Sequence, residues 1–213
     1  MRILITAGPT REAIDPVRYI SNRSSGKMGY AIARAALSVG HEVILISGPV
    51  NLDSVEGTDF HLIESAHDMY RAVEREIGKC DAAIFCAAVA DYRVAEVAKE
   101  KIKKTGDLLT LTLEKTGDIL GSCRSEFEFR GILMGFAAET ENLQHNAREK
   151  LERKGCDFLV ANDVSRKDIG FDQDKNEVIV FAADGSSTPM PIAEKCVIGE
   201  KLIQLIEKAH KDR

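Results

Sequence analysis

Alternation of strand and helix patterns predicts an α/β fold, a mostly parallel sheet covered by helices on both faces. Three observations carry this. Apolar runs of strand length alternate with stretches of helical spacing along the chain. Several runs, such as Asp-Ala-Ala-Ile-Phe-Cys-Ala-Ala at 81–88, are apolar nearly throughout, as strands buried on both faces are. Neither an internal repeat nor a Pro/Ser-rich linker divides the 213 residues, so 1–213 is expected to form one domain.

The elements follow in order. Residues 2–7 are a β-rich run and the first strand. Residues 8–27 form a long polar loop containing Pro, Asn, Ser and Gly. Residues 28–39 have helical composition, with Gly40 suited to the C-terminal cap. Residues 41–47 read as a second strand closed by Gly48-Pro49, and 66–77 as an amphipathic helix. The buried-strand candidate at 81–88 comes next. Residues 109–113 alternate Leu and Thr, the period of a strand with one wet face. Two more buried strands are expected at 131–136 and 157–161, with a charged helix at 141–154 between them. A last strand at 178–182, a turn at Asp184-Gly185 and a helix from about 193 to 210 complete the pattern. The stretch 92–114 breaks the alternation and is read as a flap or arm outside the main sheet.

Composition excludes several classes. With 44% hydrophobic and 30% charged residues the chain is neither disordered nor collagen-like, and it is long enough to bury a core unaided. No apolar run approaches the length of a membrane span, and the N-terminal apolar run is too short for a signal peptide. A net charge of −5 and the absence of Trp argue against a nucleic-acid platform. The five cysteines (80, 86, 123, 156 and 196) include no C-x-x-C pair and read as reduced thiols of a cytoplasmic protein.

In open α/β sheets ligands bind beyond the carboxyl ends of the strands, and the unusual loops of this chain fall there. The first βα loop is long, and its end runs into a helix start. Ser24, Ser25 and Gly26 there offer hydroxyls and backbone N–H groups to an anion, assisted by the helix dipole; a simple helix cap is the plainer alternative. Gly26-Lys27 is not part of a Walker A loop, the G-x-G-x-x-G spacing is absent, and the second strand ends in Ile46-Ser47-Gly48 rather than in an acid that would hold a ribose. A nicotinamide-dependent oxidoreductase is therefore disfavoured. After the strand at 81–88, small residues lead to Asp91, suited to a metal or hydroxyl or to a helix cap. The run Lys99-Glu100-Lys101-Ile102-Lys103-Lys104, followed by Thr105, is either a solvated face or a polyphosphate clamp. Lys150 and Lys154 share one helix face and can reach one anion, or are ordinary surface lysines. The residues thus point to a nucleotide or phosphate site at the sheet edge.

The segment Gly8-Pro9-Thr10, Asp15-Pro16-Val17-Arg18-Tyr19-Ile20-Ser21-Asn22 and Ser24-Ser25-Gly26-Lys27-Met28-Gly29 resembles the phosphopantothenoylcysteine synthetase family. That family is the C-terminal domain of the bacterial bifunctional coenzyme A biosynthesis protein, the DNA/pantothenate metabolism flavoprotein. The segments 87–93, 101–104, Gly135-Phe136-Ala137-Ala138-Glu139-Thr140 and Ala161-Asn162-Asp163 match it in order, so the resemblance covers essentially the whole chain.

The resemblance implies a three-layer Rossmann-like fold with a protruding flap and dimerisation arm at 92–114, and a cytoplasmic homodimer in which the 109–113 strands pair across subunits. It implies a CTP-dependent ligase joining 4′-phosphopantothenate to cysteine through an acyl-cytidylate, with Mg²⁺ as cofactor. By the same resemblance Asn22 and Lys101 are catalytic, and Arg18, Asn22, Ala87 and Ala88 bind substrate. Nucleotide falls to Ser24, Ser25, Gly26, Asp91, Lys101, Gly117, Asp118, Ile119, Leu120, Phe136, Lys150 and Lys154, and metal to Asp91. Thr116-Gly117 stands where the family often has Asn-Pro, which bears on base selection. No flavin is expected on this chain, since the flavin-dependent decarboxylase part is absent from it. The competing readings are an NAD(P) oxidoreductase and a non-catalytic nucleotide-binding module.

Overall fold

The computed structural model describes residues 1–104, 106–139, 142–163 and 173–213. In chain order the elements are β1 (Arg2–Ala7), β2 (Arg11–Ala13), β3 (Tyr19–Ser21), α1 (Lys27–Ser38), β4 (Glu42–Ser47), β5 (Asp59–Leu62), α2 (Ala66–Glu76) and β6 (Ala82–Phe85). Then come β7 (Tyr92–Val94), β8 (Leu113–Lys115), α3 (Ile119–Ser125), β9 (Ile132–Glu139), α4 (Leu143–Lys154), β10 (Phe158–Asp163), β11 (Lys175–Ala182), β12 (Ser187–Glu194) and α5 (Lys195–Lys211).

Eight strands form one sheet in the order β12-β11-β10-β9-β6-β1-β4-β5. From β5 to β10 all neighbours are parallel, and β11 runs antiparallel to both β10 and β12. Counted along the chain, the parallel strands lie in the order 3-2-1-4-5-6, the doubly wound arrangement. Its crevice opens where the winding reverses, at the carboxyl ends of β1 and β6. Along β1 the side chains alternate between two cores. Ile3 and Ile5 join α1 and α5 on one face, and Leu4 joins α2, α3 and α4 on the other. This makes the three layers that the alternation of elements predicts.

Several elements differ from expectation. The strand expected at 81–88 ends at Phe85 because the next residues turn toward the first loop. The Ala88 N–H donates to the Gly8 carbonyl at 2.9 Å, and Ala88 bridges Pro9. The strand expected at 109–113 is a correction: only Leu113 of that span lies in a strand. β8 pairs antiparallel with β7, while Leu108 and Leu109 are exposed. Six elements had no counterpart in the sequence reading, β7 of the arm among them. The other five are the two strands of the β2–β3 hairpin inside the long first loop, the edge strands β5 and β12, and α3. The helix expected to start at Glu141 begins at Leu143, and Glu141 itself lies outside the described residues, as do Thr105 and Thr140.

Candidate active site

The first loop positions the site. Glu12 of β2 is buried, and its Oε1 accepts the Ala66 N–H at 2.8 Å, so the hairpin supplies a carboxylate to the N-terminus of α2. The Arg11 N–H donates to the Glu64 carbonyl at 2.8 Å, and Thr10 Oγ1 accepts the Ala90 N–H at 3.0 Å. The chain then returns to β1. A Cβ added to Gly26 would stand 3.5 Å from the Gly8 Cα, so residues 9–25 leave and re-enter the fold at adjoining points.

Gly26 is the N-cap of α1, with φ of +77° and no side-chain cap. That left-handed backbone favours glycine, which brings no capping side chain of its own to the start of α1. At Gly29 a Cβ would fall 2.6 Å from the Cβ of Ala7, so glycine lets α1 lie against β1. Gly8, Gly26 and Gly29 therefore play the parts of the three glycines in a dinucleotide fingerprint, with the hairpin inserted between the first and second. The acidic ribose partner of that fingerprint is absent. Ser47 ends β4, buried, accepting a hydrogen bond from the Tyr30 hydroxyl at 3.1 Å.

Beyond the ends of β1, β6, β9 and β10 lies a cavity of about 360 Å³. It collects Asn22, Ser24, Ser25 and Gly26 from the first loop with Ala87, Ala88 and Asp91 from the loop after β6. Phe136 of β9 and Lys150 of α4 close it. An adjoining chamber of about 670 Å³ shares Ala87, Val89, Asp91, Phe136 and Lys150 and adds Gly117, Asp118, Ile119, Leu120 and Lys154. Asp91 and Lys150 stand at the junction of the two. Lys150 Nζ donates to the Phe136 carbonyl at 2.9 Å. Lys154 pairs with Asp118, which also caps α3 by accepting the Gly121 N–H at 3.0 Å. Burial alone would raise the Asp118 carboxyl; Lys154 and the Gly121 N–H hold it below its ordinary value.

Asn22 is spent in a specific way. Its Nδ2 donates to the Ala88 carbonyl at 3.2 Å and the Val89 carbonyl at 2.9 Å, so both amide hydrogens fix the loop after β6. Asn22 lines the cavity, and its Oδ1 takes no part in these bonds. Cys86 also lines the cavity, but burial pushes its thiol up to about 12, so it is no thiolate nucleophile at neutral pH.

Arg18 and Lys101 lie outside both chambers, together beside a separate surface depression lined by residues 101–104 and 106–109. Arg18 pairs with Asp15, whose side chain is fully buried. Asp15 Oδ1 accepts the N–H groups of Val17 and Arg18, both at 2.9 Å. Its Oδ2 accepts Arg18 Nε and the Ile102 N–H, both at 3.0 Å. Arg18 Nη2 donates to the Ile102 carbonyl at 2.9 Å. The guanidinium, prevailing over the cost of burial, holds the Asp15 carboxyl well below the usual carboxylate range.

Sequence reasoning assigned no role to three further residues of the cavity wall. They are Asn162 at the end of β10, Asn176 at the start of β11 and Lys195 at the start of α5, all buried. Buried polar groups in a cavity wall are a signal in three dimensions only. No cluster of three or more His, Cys, Asp or Glu able to hold a metal occurs among the described residues.

The family model for the DNA/pantothenate metabolism flavoprotein C-terminal domain matches residues 1–210. The chain belongs to this family. The "Coenzyme A biosynthesis bifunctional protein CoaBC" of Vibrio vulnificus is 46% identical over 207 residues, 96% of this chain and 51% of that protein. The chain spans about half the length of the curated relatives it matches. The crystal structure of the C-terminal domain of CoaBC shares the fold with a TM-score of 0.86 at 40% identity, covering 100% of this chain and 96% of that one. A mutant of Cab2, solved in complex with phosphopantothenate-cysteine, has the same fold at 18% identity, with a TM-score of 0.79 and coverage of 99% and 86%. No helix among the described residues is long and apolar enough to cross a membrane.

Proposed function

We propose that the chain is a CTP-dependent ligase that joins 4′-phosphopantothenate to cysteine and gives 4′-phosphopantothenoylcysteine, acting as a cytoplasmic homodimer. The observation that supports this best is the continuous pair of chambers. One ends on the α1 N-terminus, whose N-cap is a glycine, the other on Asp118 and Lys154, and Asp91 and Lys150 stand between them. A nucleoside triphosphate laid across them has its base and ribose by residues 117–120 and its phosphates at Ser24, Ser25 and Gly26.

In the proposed reaction a carboxylate oxygen of phosphopantothenate attacks the α-phosphorus of CTP. The bond to the bridging oxygen breaks and pyrophosphate leaves. The cysteine amine then attacks the acyl carbon of the acyl-cytidylate, loses a proton, and the acyl C–O bond breaks to expel CMP. Charge gathers on phosphate oxygens throughout, so catalysis is positioning plus fixed cations. Lys101 brings an ammonium from the flap, and Asn22 Oδ1 accepts a hydrogen from the attacking amine and aims it. Ala87 and Ala88, small and held by Asn22, let the acyl group approach the backbone; Arg18 is assigned to the same substrate. Asp91 fits Mg²⁺ as a single hard oxygen ligand, because Mg²⁺ in nucleotide sites is shared with the phosphates rather than caged by protein; there it would neutralise phosphate charge. The β7–β8 ribbon, with exposed Tyr92 and Leu113, supplies the apolar surface for dimer pairing.

The test is pyrophosphate release with a panel of nucleotides, with and without phosphopantothenate and cysteine. Release is expected with CTP and phosphopantothenate, and CMP only once cysteine is added. CTP binding without release would make the chain a non-catalytic nucleotide module. A comparable rate with ATP would remove the base preference.

A further inference from the structure

Lys101 lies on an exposed part of the 95–112 stretch, which has neither helix nor strand among its described residues. A flexible four-carbon side chain on such a stretch has no fixed address unless its backbone does. Among the described residues, the hydrogen bonds that tie 98–102 to the rest of the chain all end on residues 14–18. The Ala98 N–H donates to the Ile14 carbonyl at 3.0 Å, the Ile102 N–H to Asp15 Oδ2 at 3.0 Å, and Arg18 Nη2 to the Ile102 carbonyl at 2.9 Å. The Ile102 N–H belongs to the peptide unit that Lys101 itself begins. Asp15 and Arg18 thus grip both peptide units of Ile102, one through its hydrogen and one through its oxygen.

We propose that Asp15 is a positioning residue for the reaction: together with Arg18 it clasps the backbone next to Lys101 and so fixes where that ammonium stands. This rests on the reading of Lys101 as the flap lysine of a ligase. The clasp has the features of a rigid mount. Its carboxylate is wholly buried, its acceptor positions are filled by four groups of known identity, and the guanidinium that neutralises it is also one jaw. Charge-assisted bonds of this kind are among the stronger ones in proteins, and a fork of donors holds orientation as well as distance. A mere fold-stabilising pair would have no reason to engage the flap; here each partner contributes one bond to the same flap residue.

The test compares the wild type with Asp15→Asn and Arg18→Lys, each shown to be folded by its thermal melt. Arg18→Lys keeps the charge but loses the planar fork that reaches Asp15 and Ile102 together. Native trypsin digestion, mapped by mass spectrometry, reads cleavage after Lys101, Lys103 and Lys104. Both variants are expected to be cut there about tenfold to a hundredfold faster, the factor set by losing a charged hydrogen bond. Turnover is the second measurement. Asp15→Asn lowers kcat by about the same factor in the wild-type background. It lowers the residual turnover of Lys101→Gln little or not at all, because a mount has no effect once the mounted group is gone. Flap cleavage at the wild-type rate overturns the clasp. An equal loss from Asp15→Asn in both backgrounds overturns the positioning role. A wild-type chain with no turnover is a different failure: it removes the ligase reading, and this role with it, whatever the digestion shows.

Discussion

Asn22 has two hydrogens and one oxygen at its side-chain tip, and the fold uses the hydrogens. Aspartate at 22 would keep the shape but set a carboxylate against the Ala88 and Val89 carbonyls, releasing the loop beside the acyl group. The α1 N-terminus and Lys150 are untouched by that change. Asn22→Asp is therefore expected to activate phosphopantothenate but to form little amide, so that acyl-cytidylate accumulates and is seen by mass spectrometry. Equal slowing of both half-reactions would leave Asn22 as a turn residue only. Lys101→Gln is expected to cost about 10²–10³ in turnover, as for removal of a fixed donor at a developing charge, with an unchanged circular dichroism spectrum. Near-normal turnover would make 101–104 a solvated surface. Asp15 supplies a pH prediction. A carboxyl with a folded value below its unfolded value of about 3.9 stabilises the fold above that pH and loses the contribution as pH falls toward the folded value. Between about pH 5 and pH 2, Tm of the wild type should fall more steeply than Tm of Asp15→Asn; parallel curves would show that the pair adds nothing.

Among the elements, β1, β4, α1, β9, β10 and α5 were legible in the sequence because each buries a long apolar face, and burial is what periodicity records. The elements that escaped are those in which something else decides. β5 carries Asp59 and His61 on an exposed edge, and β12 holds Pro189 and Pro191, which suit only an edge where an N–H is not needed. The β2–β3 hairpin is short and is held by Glu12 on α2 rather than by a core. The site was legible in the same uneven way. Asn22, Asp91, Phe136 and Lys150, all singled out from the sequence, line one cavity, whereas Asn162, Asn176 and Lys195 arrive from three elements with no local pattern in common. The packing of α1 on β1 gives a prediction at this scale. Gly29→Ala would put a methyl 2.6 Å from that of Ala7, and overpacking of this kind costs about 1–3 kcal/mol. Urea denaturation should show a lowered midpoint with an unchanged slope; an unchanged midpoint would mean that α1 can back away from the sheet without cost.

For the whole molecule, the feature with the widest reach is the return of the chain at Gly26 to the neighbourhood of Gly8, where a Cβ added to Gly26 would lie 3.5 Å from the Gly8 Cα. The sheet and α1 experience the intervening residues as a loop with neighbouring ends, and for such a loop each doubling of length costs only about 0.6 kcal/mol. Residues 9–25 carry Asp15, Arg18, Asn22, Ser24 and Ser25 between them, with the turn glycine on one side and the left-handed cap and close-packed third glycine on the other. In evolutionary terms this makes residues 9–25 a cartridge, a segment whose length can change at little loop-closure cost to the sheet and which, under the proposed ligase reading, would carry the acid-substrate contacts and the two phosphate-facing serines together.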